Sequence, residues 1–191
     1  MSALPKSSEE MTVAEFYDWS EATPGRWELV DGQPVGMAPV STTHSALQCE
    51  IGRLIATALE RQGAPCSAFT EPGVIPHVSA NTNVRVPDLA VMCGDYKTER
   101  AALTEPVVVI EILSPRNKYK TWSNVWAYAT IPSVKEIAVF YTESVGVKLL
   151  RRLPNGEWPK EPELIESGDF ALGSIGVSFP LAAAYRTTRL G

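Results

Sequence analysis

Three cysteines are the whole thiol complement of this chain of 191 residues. Cys49, Cys66 and Cys93 stand far apart without a Cys-x-x-Cys pair, so their spacing predicts neither a disulfide framework nor a cysteine zinc site. Cys49 reads as a helix residue and Cys93 as a strand residue. No uninterrupted apolar run approaches the ~20 residues that a membrane helix needs. The opening MSALPKSSEEMTVAEF lacks the apolar core of a signal peptide. These absences predict a cytoplasmic protein. Net positive charge is missing as well: 17 Lys and Arg against 22 Asp and Glu give −5. That balance argues against broad non-specific affinity for nucleic acid, while leaving room for a local basic patch or a metal-bearing acidic site. Internal repeats and low-complexity tracts are absent too. What remains is an ordinary globular composition, 45% hydrophobic and 20% charged. The length suits a single domain over 1–191 with its own core, and residues 1–10, which are polar, read as a frayed terminus.

Along the chain, Thr12 and Glu15 form a capping box ahead of a short helix over Val13 to Ser20. Arg26 to Val30 and Pro34 to Ala38 flank Asp31-Gly32, a hairpin signal whose loop length Gln33 leaves open. Ser41 or Thr42 caps a second helix that runs to about Gln62 and ends at Gly63. Its apolar stripe is Leu47, Ile51, Leu54, Ile55, Ala58 and Leu59, with Glu50, Arg53, Glu60 and Arg61 on a solvated face. Two short strands follow, Ser67 to Thr70 and Val74 to Val78, then a strand over Asn83 to Cys93 with Pro87 inside it. Residues 94–105 read as a charged loop. Beyond the central segment the pattern gives a helix over Tyr119 to Thr130 and strands at Val134 to Tyr141 and Val145 to Leu153. A further strand at Leu164 to Glu166, a short one at Val177 and a helical turn at Ala182 to Tyr185 complete an α/β fold with several antiparallel pairs.

The centre of the chain is PVVVIEILSPRNKYKTWSNVWAY, Pro106 to Tyr128. Val107 to Leu113 has the length and β-branched content of a buried strand, and Glu111 is the single carboxylate on its two apolar faces. Burying that charge costs several kcal/mol unless a cation or hydrogen-bond donors meet it. Asp88 follows Pro87 on what should be the neighbouring strand. Two readings are open. In one, Asp88 and Glu111 share a hard divalent cation such as magnesium, which activates water and neutralises a phosphoryl oxygen. In the other, Asp88 is an exposed turn residue and Glu111 pairs with Arg26 or Arg85.

RWELVDGQPVGMAP, THSAL, VRVPDLAV and VVVIEILSP, in this order and at these separations, resemble the Uma2 family of predicted endonucleases, within the wider PD-(D/E)XK restriction-endonuclease-like class. The resemblance extends from about Thr12 to Tyr141. It implies a restriction-endonuclease-like mixed β-sheet core with flanking helices and β-hairpins, and DNA cleavage dependent on magnesium or manganese. Residue by residue, it implies that Asp88 is the acid of the PD motif, Glu111 the second acid, Glu28 the glutamate of an Arg-Tyr-Glu-Leu motif and His44 the helix-start histidine. The chain departs from that pattern in two places. Leu113 stands where the wider class has lysine, and the helix that usually compensates with Asp-x-x-x-Lys-x-x-x-Tyr here presents Lys120, Asn124 and Tyr128.

A missing lysine removes a positioned cation, worth ~3 kcal/mol or roughly two orders of magnitude in rate. Lys120 and Lys118 are the candidates to replace it, or they are solvated surface charges. Glu28 is either a metal ligand or half of an ion pair, and His44 either a proton-transfer group or a merely hydrogen-bonded one. His77 reads as structural. Trp122 and Trp126 share a helix face, for which core packing or a homodimer interface is the first reading and base stacking the second. Two functions follow: a metal-dependent endonuclease acting on DNA, or a nuclease-fold module that has lost cleavage and binds nucleic acid or protein.

Overall fold

The computed structural model describes residues 10–95 and 102–191, so residues 1–9, read above as frayed, and residues 96–101 of the charged loop lie outside it. The first elements follow from local chemistry. Thr12 caps α1 (Val13–Ala22): its hydroxyl accepts from the Glu15 amide at 3.3 Å, and the Glu15 carboxylate accepts from the Thr12 amide at 2.8 Å. β1 (Trp27–Val30) and β2 (Gln33–Gly36) then pair with Val30 opposite Gln33, so the loop is Asp31-Gly32 alone. Both residues sit at positive φ, 47° and 74°, the pattern of a type I′ hairpin turn.

Ser41 caps α2 (Thr42–Gln62), its hydroxyl accepting from the His44 amide at 3.2 Å, and Gly63 closes the helix at φ 59°. Leu47, Ile51, Ile55 and Leu59 are buried on one stripe. Glu50 departs from the solvated face expected for it. It is buried, and Arg53 and Arg186 both reach its Oε1. Arg186 lies 136 residues further on, which no helical pattern could reveal.

The strands after α2 are β3 (Cys66–Thr70), β4 (Gly73–Val74), β5 (Leu89–Cys93), β6 (Ala102–Leu103) and β7 (Pro106–Leu113). α3 (Lys118–Ala129) comes next, followed by β8 (Glu136–Tyr141), β9 (Val147–Arg151), β10 (Glu163–Ile165), β11 (Asp169–Leu172), β12 (Val177–Pro180) and α4 (Leu181–Tyr185). Among the described residues one six-stranded mixed sheet runs in the order β10-β9-β8-β7-β5-β3. Its parallel pair is β7 with β8, joined through α3, and its other neighbours are antiparallel. β11 and β12, of which the sequence pattern showed only the region of Val177, pair as a separate ribbon.

Side chains alternate across the sheet. Val108, Ile110 and Ile112 of β7 join the α2 stripe in one core cluster. Val109 packs on the other face with Val125 and Tyr128 of α3 and Ile137 and Val139 of β8. Glu111 belongs to this second face, where Tyr128 meets it.

Further expectations are corrected: the strand read over Val74 to Val78 is only Gly73–Val74, and Ala102–Leu103 of the segment read as a loop pairs with it as β6. The strand foreseen over Asn83 to Cys93 is continuous only from Leu89; upstream, Val84 and Arg85 make isolated bridges to Leu29 and Val74. Pro87 has no N–H to give a ladder, so the chain breaks there and Asp88 stands at the mouth of β5. Cys66 and Cys93, expected to be unpaired, face each other across the β3–β5 register and form a disulfide. The antiparallel register brought them together across 27 residues without any motif spacing.

Candidate active site

Glu28, His44, Asp88, Glu111 and Lys120 line one cleft, together with Ile112, Ser114, Thr121 and Asn124. Each comes from a different element for a local reason. β5 and β7 are antiparallel neighbours with Leu89 opposite Ile110, so the register carried one step further sets Asp88 against Glu111. His44 stands in the first turn of α2, and Lys120 and Asn124 are one turn apart on α3. Glu28 enters from the hairpin strand β1.

Asp88 is held on both oxygens. Nε2 of His44 lies 2.8 Å from Oδ1, and the Ile112 amide donates to Oδ2 at 2.6 Å. The other ring nitrogen of His44 lies 3.4 Å from the Ser114 hydroxyl, so the imidazole, itself buried, bridges α2 to the end of β7. Glu28 is buried too and is held on three sides: Oε1 accepts from the Val86 amide at 3.1 Å and the Asn124 side chain at 3.3 Å, and Oε2 lies 2.5 Å from Nζ of Lys120.

Glu111 is different. Only 7% of it is exposed, and it accepts from the Tyr128 hydroxyl at 2.9 Å. Burial, then the neighbouring charges of Asp88 and Glu28, push its carboxyl well above the usual carboxylate range, and hydrogen bonds from Tyr128 and Asn124 offset this only in part. Burial and the Glu111 charge in turn push the Tyr128 hydroxyl up, which keeps it a donor.

The ion-pair alternative for Glu111 is not the arrangement found. Arg26 pairs with Glu71 at 2.6 Å. Arg85 is buried and donates to Asn83 and Asn124 at 2.9 and 3.2 Å. Nor is Asp88 an exposed turn residue, since its side chain is 13% exposed within the cleft. Of the two lysines considered, Lys120 reaches the acids, whereas Lys118 lines a separate pocket across the first turn of α3. His77 is exposed and lies away from the cleft, its amide donating to Thr130. Trp122 and Trp126 do not present one common surface. Trp122 packs against the second core cluster, while Trp126 is 51% exposed.

The sequence reading missed the chain of contacts Arg85–Asn124–Glu28–Lys120. A signal existed in Asn124 standing four residues after Lys120, but Arg85 and Glu28 are 39 and 96 residues from Asn124. The Ser114–His44–Asp88 bridge was likewise hidden in separations of 70 and 44 residues.

No curated protein matches the chain in sequence. Among solved structures, the crystal structure of a protein from Anabaena variabilis, described as a "putative nuclease belonging to DUF820", is 18% identical, with 92% of this chain and 98% of that one covered, at a TM-score of 0.73. At that identity the likeness establishes the shared fold. A sequence model of the Uma2 family, described as "Putative restriction endonuclease", matches residues 13–178 and so takes in Glu28, His44, Asp88, Glu111 and the whole of α3. The chain with its acidic cleft at the end of the mixed sheet therefore belongs to the Uma2 family of restriction-endonuclease-like proteins.

Proposed function

We propose that this chain is a divalent-metal-dependent endonuclease that hydrolyses DNA phosphodiester bonds in the cleft of Glu28, Asp88 and Glu111. The observation that carries the reading is Glu111, a buried carboxylate with two further acids beside it and only a phenol and an amide to offset them. A cation relieves that arrangement. Among the described residues no group of three or more His, Cys, Asp and Glu side chains has the spacing to hold a metal. The ligand set in this reading is therefore Asp88 and Glu111 alone, completed by water. Magnesium and manganese suit such hard oxygen donors, and magnesium commonly keeps most of its waters. When bound, the ion supplies Lewis acidity, lowering the pKa of a water and neutralising phosphoryl oxygen.

The chain's own residues hold the frame for that chemistry. His44 and the Ile112 amide fix the Asp88 carboxylate, and Tyr128 fixes Glu111. Glu28 is an auxiliary acid that holds Lys120 at the cleft, and the Lys120 ammonium is the cation available to steady charge on the phosphate. It enters one helical turn before the place where the family pattern has its lysine. In the same reading the protein is cytoplasmic, and the Cys66–Cys93 disulfide is an exception to the reduced thiols usual in that compartment. It is also a homodimer, with the exposed Trp126 on the contact.

The competing reading, a binding module without cleavage, is favoured by Asn124 in the lysine position and by the commitment of Lys120 to Glu28. Assays on single- and double-stranded DNA with magnesium and with manganese separate the two. Cleavage that disappears in both Asp88→Ala and Glu111→Ala supports the nuclease. DNA binding without cleavage in the unsubstituted protein supports the module, and cleavage that survives both substitutions removes this cleft from consideration.

A further inference from the structure

The first turn of α3 separates the acidic cleft from a second pocket of about 310 Å³, lined by Leu113, Pro115, Lys118, Trp122, Tyr141 and Lys148 and by the loop Thr142–Ser144. The two cavities flank the same strand end, since Ile112 and Ser114 face the first while Leu113 and Pro115 face the second. Their charges are opposite. In this acidic protein Arg26, Arg53, Lys120, Arg151 and Arg186 are paired to carboxylates, whereas Arg85 donates to asparagines and Lys135 and Arg152 to backbone carbonyls. Among the described residues neither Lys118 nor Lys148 has such a partner, although Glu143 is on the rim. The Lys148 ammonium lies 5.5 Å above the Trp122 ring, which packs half-buried against the second core cluster. Next to Lys118, Tyr119 is 89% exposed.

Resting on the nuclease reading, we propose that this pocket takes the unpaired nucleotide next to the scissile phosphate, so that the substrate is DNA that is single-stranded or frayed at the cut. Lys118 and Lys148 meet the backbone phosphates, and Trp122 with Tyr141 receives the base. Unpaired ammonium groups interleaved with aromatic rings are the combination by which proteins hold single strands. The volume lies at the small end of the range of about 300–1,000 Å³ typical of small-ligand pockets, so it suits one nucleoside and excludes a duplex. A base still stacked in a helix cannot enter, and one already unpaired enters without the cost of unstacking.

The test is fluorescence anisotropy of a labelled single-stranded oligonucleotide and of the matching blunt duplex, with the full chain carrying Asp88→Asn so that neither is cut. Single strands are expected to bind at least about tenfold more tightly than the duplex. Lys118→Ala with Lys148→Ala should flatten the dependence of binding on salt by about 1.4, that is about 0.7 for each phosphate contact on a single strand. Lysine-to-arginine replacements at the same two positions should restore the slope. Trp122→Leu should weaken binding without moving the slope, with thermal melting to confirm the fold. Equal affinity for strand and duplex, a slope unmoved by the lysine variants, or no binding at all would overturn the proposal. Cleavage by the unsubstituted protein is read separately. Cutting with lysine-independent binding sinks the pocket and leaves the nuclease reading standing. Lysine-dependent binding of single strands without cutting sinks the nuclease and keeps the pocket.

Discussion

Glu136 and Glu111 are buried carboxylates on the two parallel strands of the sheet, and they live in opposite circumstances. Glu136, at the start of β8, accepts from Arg151 at 3.2 Å, from the amides of Gly173 and Ser174 at 3.1 and 2.9 Å, and from the Ser174 hydroxyl at 2.5 Å. Every lone pair that burial takes from water is returned by a donor, so Glu136 ties the β11–β12 region to the sheet. Glu111, near the end of β7, has the Tyr128 hydroxyl and an amide donor while Asp88 and Glu28 crowd it with like charge. Burial does not separate them, since both are under a tenth exposed. Satisfaction does, and a structural carboxylate arrives with its donors whereas one left short of them is suited to a cation. Glu50 falls in the first class, held below the usual carboxylate range by its hydrogen bond with Arg53 and by Arg186.

The contrast can be broken at several points. The largest expected effect is on chemistry. Glu111→Ala and Asp88→Ala should each abolish metal-dependent cleavage while circular dichroism and melting show a folded protein, and cleavage retained in Glu111→Ala would place the two glutamates in one class.

Next comes Glu136→Ala, which leaves Arg151 and two backbone amides short of an acceptor. A destabilisation of about 2–3 kcal/mol is expected, below that of a fully buried pair because Arg151 is 41% exposed. Denaturant unfolding measures it, and cleavage per folded molecule should not change.

A smaller effect is expected at Asn124. Asn124→Lys brings an ammonium toward Glu28 and Glu111 but also against Arg85, which is buried and already in contact with Asn124. Cleavage should rise by about tenfold at most, short of the hundredfold a free site would give. Single-turnover rates decide this, and a fall in rate would show that Arg85 already supplies the needed charge.

The smallest is a stability difference that depends on pH. A carboxyl whose folded pKa is raised binds more protons in the folded than in the unfolded state between the two pKa values, so stability falls as pH rises through that window. In metal-free buffer Glu111→Gln should therefore match the unsubstituted protein near pH 4. It should melt a few degrees higher at neutral pH, the usual scale of a change of about 1 kcal/mol. Equal melting at both pH values would mean that Glu111 is as well satisfied as Glu136.

What the amino-acid sequence determined by itself was the local chemistry. The Thr12 and Ser41 caps, the Asp31-Gly32 turn, the Gly63 stop and the apolar stripe of α2 stand where the pattern put them, because each depends on residues within about a turn of one another. Glu111 stood out for the same reason, as one charge in a short apolar strand. Only the tertiary structure decided which partners met. The Cys66–Cys93 disulfide, the burial of Glu50 by Arg186 and the hold of Lys120 on Glu28 all join residues far apart in sequence. No period or spacing encodes those meetings, since strand register and helix packing set them and small changes in either would pair different groups. The difference between Glu136 and Glu111 belongs there as well. Only the folded arrangement gives one of them its donors and the other two acidic neighbours.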